Sequence, residues 1–161
     1  MAARQSRWLL LGELLGYCLL GYWPATGAGS TPLQAGSLAL AGFFAGRLFI
    51  VGLTFVLMLQ GRGVVPAELR IGPFGALRMV LEEYLGFVVL FSLIQPFESF
   101  WLGPDRLVKP AAGRLPVLLI HGYQCNRGYW IQMRGRLERA GWQVATLSLN
   151  PVFNDIDGYV E

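Results

Sequence analysis

The sequence predicts an α-helical membrane region of two to three helices followed by a βαβ unit. Two observations indicate this fold class. Hydrophobic residues make up 54% of the 161 residues and charged residues only 14%, and the long apolar runs all precede Pro104. After that point the pattern changes to strand, turn, helix and strand over residues 115–149, which is the order of elements in a parallel βαβ unit.

Residues 8–23 form the first predicted membrane helix. Their sequence, WLLLGELLGYCLLGYW, carries aromatic residues at both ends, where a helix meets the two membrane interfaces. The basic start and the small residues around 25–29 also fit a cleaved signal peptide. Glu13 inside the apolar run and the bulky Tyr22-Trp23 end favour a retained helix.

Residues 36–59 form the strongest predicted span, because about 20 apolar residues suffice to cross a bilayer core. Arg47 is the one charge in this run, and a charge at mid-depth costs at least ~2.5 kcal/mol unless it is paired. Glu13 of the first run is the expected partner. Both runs also carry glycines four residues apart: Gly12 and Gly16, and Gly42 and Gly46. This spacing would let two helices approach closely; the alternative is chance, since the chain has 21 glycines.

Residues 78–102 form a third, weaker apolar stretch, interrupted by Arg78, Glu82, Glu83 and Pro96. We expect a membrane span, since aromatic residues after Pro96 extend the apolar run and supply an interfacial belt. The alternative is a stretch that lies along the membrane surface.

The basic residues predict the orientation. The amino terminus and the 60–73 loop carry arginine, whereas the 24–35 loop has no charge, so the first two stay cytoplasmic. Three spans then place residues from 103 onward in the periplasm of a bacterial inner membrane; with a surface-bound third stretch, this part is cytoplasmic.

Residues 104–114 form the predicted linker, rich in Pro, Gly and charge, and residues 115–161 the βαβ part. An apolar strand, Val117 to Ile120, ends in a polar turn that contains Gly122. A helix with apolar residues at spacings of three and four follows, and its solvated face is predicted to hold Arg134, Arg136, Glu138 and Arg139. The second strand covers residues 143–149.

The string HGYQCNRGYW at residues 121–130, followed by PVFNDIDGY at 151–159, resembles the start of membrane-associated bacterial α/β-hydrolases of the lipase and esterase type. The resemblance implies that the loop of His121, Gly122, Tyr123 and Gln124 forms half of an oxyanion hole, with the backbone N–H of Tyr123 as the donor. It implies no cofactor and no metal.

The chain departs from that family in its catalytic residues. It contains no Gly-x-Ser-x-Gly motif, which holds the nucleophile of this fold, and His121 is its single histidine. We therefore expect an amino-terminal part that ends before the nucleophile elbow, lacks the base and acid, and is inactive by itself. Alone, residues 115–161 should be poorly packed, because parallel sheets are covered on both faces.

For the other polar residues in this part, we prefer structural roles to catalytic or metal-binding ones. His121 is expected to brace the loop rather than transfer protons, and Cys125 to be a packed loop residue rather than a nucleophile. Asn126 and Asn150 are predicted to be loop or cap residues. Asp155 and Asp157 are predicted to cap the next helix rather than to bind calcium.

Two functions remain open. The first is a membrane-anchored hydrolase of carboxylic esters, which contacts membrane lipid and acts on an ester or lipid substrate. The second is a non-catalytic membrane protein or truncated product whose βαβ segment is an interaction module. Basic residues exceed acidic ones by about two after residue 103, too few to indicate nucleic-acid binding. The net charge of +3 for the whole chain is attributed to basic anchors at the membrane and one solvated helix face.

Overall fold

The computed structural model describes residues 2–27, 31–61, 63, 66, 70–105, 115–151, 154 and 157–159. The described part is mostly helical, with one long apolar helix and a small two-stranded parallel sheet whose strands are joined through a helix. It forms two compact units: one is Leu11–Val89, and the other combines Met1–Leu10 with Leu90–Glu161.

Three helices build the first unit: most of α1 (Ala2–Gly27), α2 (Pro32–Gly61) and α3 (Pro73–Val89). Each begins earlier than the apolar run that predicts it, because hydropathy marks the lipid-soluble part of a helix and not its ends. Within the described residues, α2 alone is long and apolar enough to cross a membrane; it lies near the amino terminus, where a signal sequence would also lie.

The buried residues of α2 recur every four positions: Ala39, Phe43, Arg47 and Val51. Its other large apolar side chains are mostly exposed, such as Phe49 at 69% and Leu57 at 56%. A core helix of a soluble protein would bury such residues. The exposed apolar surface of α2 instead suits a lipid environment.

Arg47 forms the ion pair with Glu13 that the sequence predicts. Arg47 Nη2 donates to Glu13 Oε2 at 2.9 Å, and the arginine side chain is 5% exposed. The guanidinium also lies over the ring of Phe43, 4.2 Å from its centroid, so a cation–π contact supports the pair.

The predicted glycine contacts occur on one helix and not on the other. A Cβ at Gly42 would lie 2.9 Å from the ring of Tyr17, and a Cβ at Gly46 would collide with the Tyr17 hydroxyl. At Gly12 and Gly16 a Cβ would meet nothing within 4 Å. The close backbone approach of α1 to α2 lies at Gly21 instead, where a Cβ would be 2.7 Å from Ala35 O.

The stretch predicted over residues 78–102 is divided between the two units, with residues 78–89 in the first and 90–102 in the second. After α3 the chain continues as a π-helix, Leu90–Ile94, then turns and forms the short α4, Glu98–Trp101. Gln95 and Pro96 in the turn are buried. Pro96, one of the interruptions in the predicted stretch, lies at this break, since proline lacks the N–H that a continuing helix needs.

The βαβ part follows the sequence prediction. Strand β1 is Val117–Ile120 and strand β2 is Val144–Leu147, shorter than the predicted 143–149. They pair in parallel, with Val117 opposite Val144 and Ile120 opposite Leu147. A 3₁₀ turn, Arg127–Trp130, leads into the intervening α5, Ile131–Arg139.

The two faces of this sheet differ in burial. Leu119, Val144 and Thr146 are buried, whereas Leu118 and Ile120 on the other face are 56% and 52% exposed. Such an uncovered face is what we expect of two parallel strands that lack a layer on one side.

The prediction that Arg134 lies on the solvated face of its helix is wrong. Arg134 is 7% exposed, and it donates to Asp105 Oδ1 and Glu138 Oε1, each at 2.8 Å. Asp105 also accepts from the backbone N–H and the hydroxyl of Thr146, both at 2.9 Å. Asp105, at the start of the predicted 104–114 linker, is thus fixed to α5 and β2, while residues 106–114 lie outside the described residues.

Candidate functional site

The candidate site is the loop that follows β1, at the edge where both parallel strands end. The carboxyl ends of parallel strands form the crevice in which ligands of α/β proteins bind. His121 closes β1 on this edge, and Ser148 and Leu149 follow β2 there. The sequence-predicted residues 121–124 are therefore placed together with the end of the second strand.

His121 holds these two strand ends together. It is 5% exposed; its Nε2 accepts the backbone N–H of Leu149 at 2.9 Å, and its Nδ1 lies 2.9 Å from Gly122 O. The tautomer with the proton on Nδ1 satisfies both contacts. Since both ring nitrogens are engaged, His121 has the bracing role that the sequence favours and no free lone pair for a general base.

Tyr123 lies at the second position of a tight turn. The N–H of Cys125 donates to Gly122 O at 3.3 Å, and Gln124 at the third position has φ 61°. This combination is the mark of a type II turn. The positive φ of this turn thus falls on a non-glycine residue, Gln124, which stores backbone strain.

Gly122 contributes space rather than a special backbone conformation. A Cβ at this position would meet nothing within 4 Å, so the approach to the loop is open. The side chain of Tyr123 is 67% exposed. Since the proposed donor is the backbone N–H of Tyr123, an outward side chain is compatible with that role.

Cys125 is buried, at 9% exposure, and its Sγ accepts from Gln95 Nε2 at 3.8 Å. Burial raises the pKa of the Cys125 thiol, although the hydrogen bond from Gln95 opposes this. A raised pKa disfavours the thiolate, which is the nucleophilic form. The polar contacts of His121 and Cys125 go to different partners, so the geometry favours the packed residue and not a Cys–His pair.

Asn126 is fully buried and caps the 3₁₀ turn, as the sequence predicts. Its Oδ1 accepts the N–H of Gly128 at 2.9 Å, and its Nδ2 donates to Gln95 O at 2.8 Å. Asn150 is the predicted loop residue: its Oδ1 accepts from Ala2 N at 2.7 Å. Asp157 begins a short 3₁₀ turn, Asp157–Tyr159, while Asp155 lies outside the described residues.

The sequence does not predict that Gln95 and Ser148 contact this loop. Ser148 Oγ accepts the N–H of Arg127 at 3.1 Å, and Gln95 contacts both Cys125 and Asn126. Neither residue belongs to a motif. Each lies more than 20 positions from its partner, beyond the reach of periodicity arguments.

A groove lies at the opposite, amino-terminal edge of β2. It is lined by Pro104, Arg134, Glu138, Trp142 and neighbouring backbone. Arg134 is already neutralised there by two carboxylates, so the groove offers no free cation for an anionic ligand. Among the residues that the structure describes, no group of three or more His, Cys, Asp or Glu side chains could hold a metal ion.

Comparison with protein-family models, curated proteins and solved structures finds no match for this chain.

Proposed function

We propose that this chain is the amino-terminal part of a membrane-anchored α/β-hydrolase that hydrolyses carboxylic esters. The observation that carries the proposal is the bracing of the loop at the carboxyl ends of both strands. Buried His121 joins the end of β1 to Leu149 after β2, and a closed turn follows at once. A rigid loop at that edge is where acyl-transfer enzymes need an oxyanion donor.

In this proposal the backbone N–H of Tyr123 donates to the oxyanion of the tetrahedral intermediate. A preorganised amide stabilises this charge without having to reorient during the reaction, and loss of one such donor costs about 3 to 4 kcal/mol of transition-state stabilisation. In this proposal the nucleophile, base and acid are absent from this chain.

A membrane anchor would bring an ester hydrolase near apolar substrates. We propose that α1 and α2 span a bacterial inner membrane as a pair. The Glu13–Arg47 ion pair supports this, since pairing offsets the cost of Arg47 at mid-depth. If α3 and the following residues form a third span, the hydrolase part is periplasmic; if they lie on the surface, it is cytoplasmic.

The test is hydrolysis of short- and long-chain p-nitrophenyl esters by detergent-purified protein, with this chain compared to one extended through the downstream reading frame. We expect activity only in the extended protein. Tyr123→Pro removes the donor N–H, while proline suits the second position of a type II turn. It should lower kcat by roughly 10²- to 10³-fold.

Tyr123→Ala is the matched control, because it keeps the backbone N–H and should leave kcat within about threefold of the starting protein. Equal losses in both variants would refute the oxyanion assignment. Silence of the extended protein on every ester would instead favour a non-catalytic interaction module, for which the exposed sheet face of Leu118, Ile120 and Leu147 is the available surface.

A further inference from the structure

Residues 92–97, named here the anchor segment, pack against the loop after β1. Gln95 in this segment is 1% exposed. Its backbone O accepts from Asn126 Nδ2 at 2.8 Å, and its side-chain Nε2 donates to Cys125 Sγ at 3.8 Å. Two consecutive loop residues are thus bonded to one residue of the anchor segment.

Close packing reinforces these bonds. A Cβ at Gly128 would lie 3.2 Å from Ile94 Cγ2 and 3.5 Å from Gln95 Cα, so the segment and the 3₁₀ turn approach as closely as a glycine permits. Arg127 also contacts the chain just after the anchor segment, since its guanidinium donates to Leu102 O at 3.2 Å. The loop is held along residues 125–128.

The bonds to Cys125 and Asn126 bear directly on Tyr123. The N–H of Cys125 closes the turn onto Gly122 O, so the position of Cys125 fixes the peptide planes between them. One of these planes carries the N–H of Tyr123. A shift of residues 125 and 126 would therefore reorient that amide. His121 contacts the same peptide group from the strand side, since its Nδ1 lies 2.9 Å from Gly122 O.

We propose that Asn126 and Gln95 are positioning residues, through which the anchor segment sets the orientation of the Tyr123 amide. This inference rests on the proposed function. Gln95 Oε1 supports the assignment, because it is buried without a partner in the described part of the chain. An apolar residue would avoid that unpaired atom, so the polar side chain is better explained by its contact with Cys125 than by stability.

The first test uses Cys125 as a reporter in the full chain with Cys18→Ser, since Cys18 is exposed. Asn126→Asp keeps the oxygen that caps Gly128 but loses the donor to Gln95 O. We expect alkylation of Cys125 by iodoacetamide to become roughly tenfold faster, the effect of losing one buried hydrogen bond. Asn154→Asp is the matched control, because Asn154 Nδ2 donates locally, to Gly158 O, and the rate should not change.

Gln95→Met is a second variant, which keeps the side-chain volume and removes the contact with Cys125. Because the Gln95 hydrogen bond lowers the pKa of the Cys125 thiol, alkylation is compared per thiolate, from rates measured over a pH series. This rate per thiolate should rise without a lower melting temperature. Unchanged alkylation in both folded variants would overturn the proposal, because the anchor segment would then not hold the loop.

The second test measures ester hydrolysis by the extended protein. A positioning role predicts that Asn126→Asp and Gln95→Met lower kcat roughly tenfold with KM unchanged, while Asn154→Asp leaves both constants alone. Faster alkylation with an unchanged kcat would overturn the link to the amide. Absence of hydrolysis in the unaltered extended protein would refute the proposed function instead, and alkylation would still decide whether the anchor segment fixes the loop.

Discussion

The ion pair between Glu13 and Arg47 gives a stability prediction that follows from its burial. Substitution of either partner should destabilise the helix pair of α1 and α2 strongly, and substitution of both should not. Glu13→Gln and Arg47→Met keep most of each side chain's volume while removing its charge. The pair is suited to this test because its side chains are 5% and 29% exposed and their atoms 2.9 Å apart.

The expected magnitude follows from two opposing terms. At 2.9 Å the attraction is about 6 kcal/mol for an effective dielectric constant near 20. Removing two charges from water costs several kcal/mol per ion, so the net contribution of the intact pair is small. A single substitution leaves one buried charge unpaired, and we expect a loss of about 3 to 5 kcal/mol in the free energy of unfolding.

The measurement is a double-mutant cycle, with unfolding of the full chain in detergent micelles followed by helical circular dichroism during titration with SDS. The double variant should lie within about 1 kcal/mol of the starting protein. The exposed Arg78–Glu82 pair on α3 is the control, and removing it should give no measurable change. Additive effects at Glu13 and Arg47 would refute the reasoning, since they would mean that the two charges do not compensate each other.

Gly46→Ala should destabilise the helix pair, because the added Cβ meets the Tyr17 hydroxyl. Gly12→Ala adds its Cβ in open space and should stabilise the helix pair by up to about 1 kcal/mol. Unfolding in SDS titrations measures both changes. Gln124→Gly should raise the free energy of unfolding by roughly 0.5 to 1 kcal/mol by relieving the positive φ, and a lower melting temperature would contradict the turn assignment. Burial raises the pKa of the Cys125 thiol. The contribution of Cys125 to stability should therefore be constant below about pH 8.5, the ordinary thiol pKa, and should fall above it until the pH passes the raised value. A pH series of melting temperatures should show this decline, and a Cys125→Ala variant should lack it.

The sequence predicts those features that depend on local pattern or on an isolated charge. Strand β1 is predicted because an apolar run ends in a polar turn, and α5 because its apolar residues recur at helical spacing. Glu13 and Arg47 are each the one charge in a long apolar run. A charge in such surroundings must find a partner, which makes the pairing predictable across 34 positions without any knowledge of the fold.

Polar residues with many alternative partners are not predictable in this way. Gln95 stands next to Pro96 and resembles a simple break in an apolar stretch, yet its bonds reach 30 and 31 positions along the chain. The orientation of the loop depends on these bonds as well as on His121. Local pattern thus identifies the loop, but the residues that fix its geometry come from a segment whose composition suggests membrane contact.

Asp105 shows why composition misplaces a boundary. Beside Gly103 and Pro104 a carboxylate resembles a solvated linker residue, and its partners Arg134 and Thr146 lie 29 and 41 positions away. Once buried, however, the guanidinium of Arg134 requires compensating acceptors, and Asp105 supplies one while also binding the N–H of Thr146 within β2. This carboxylate joins the residues after α4 to both α5 and β2. Displacing it would leave the buried Arg134 short of an acceptor. The segment from Leu90 to Asp105 therefore belongs energetically to the βαβ part.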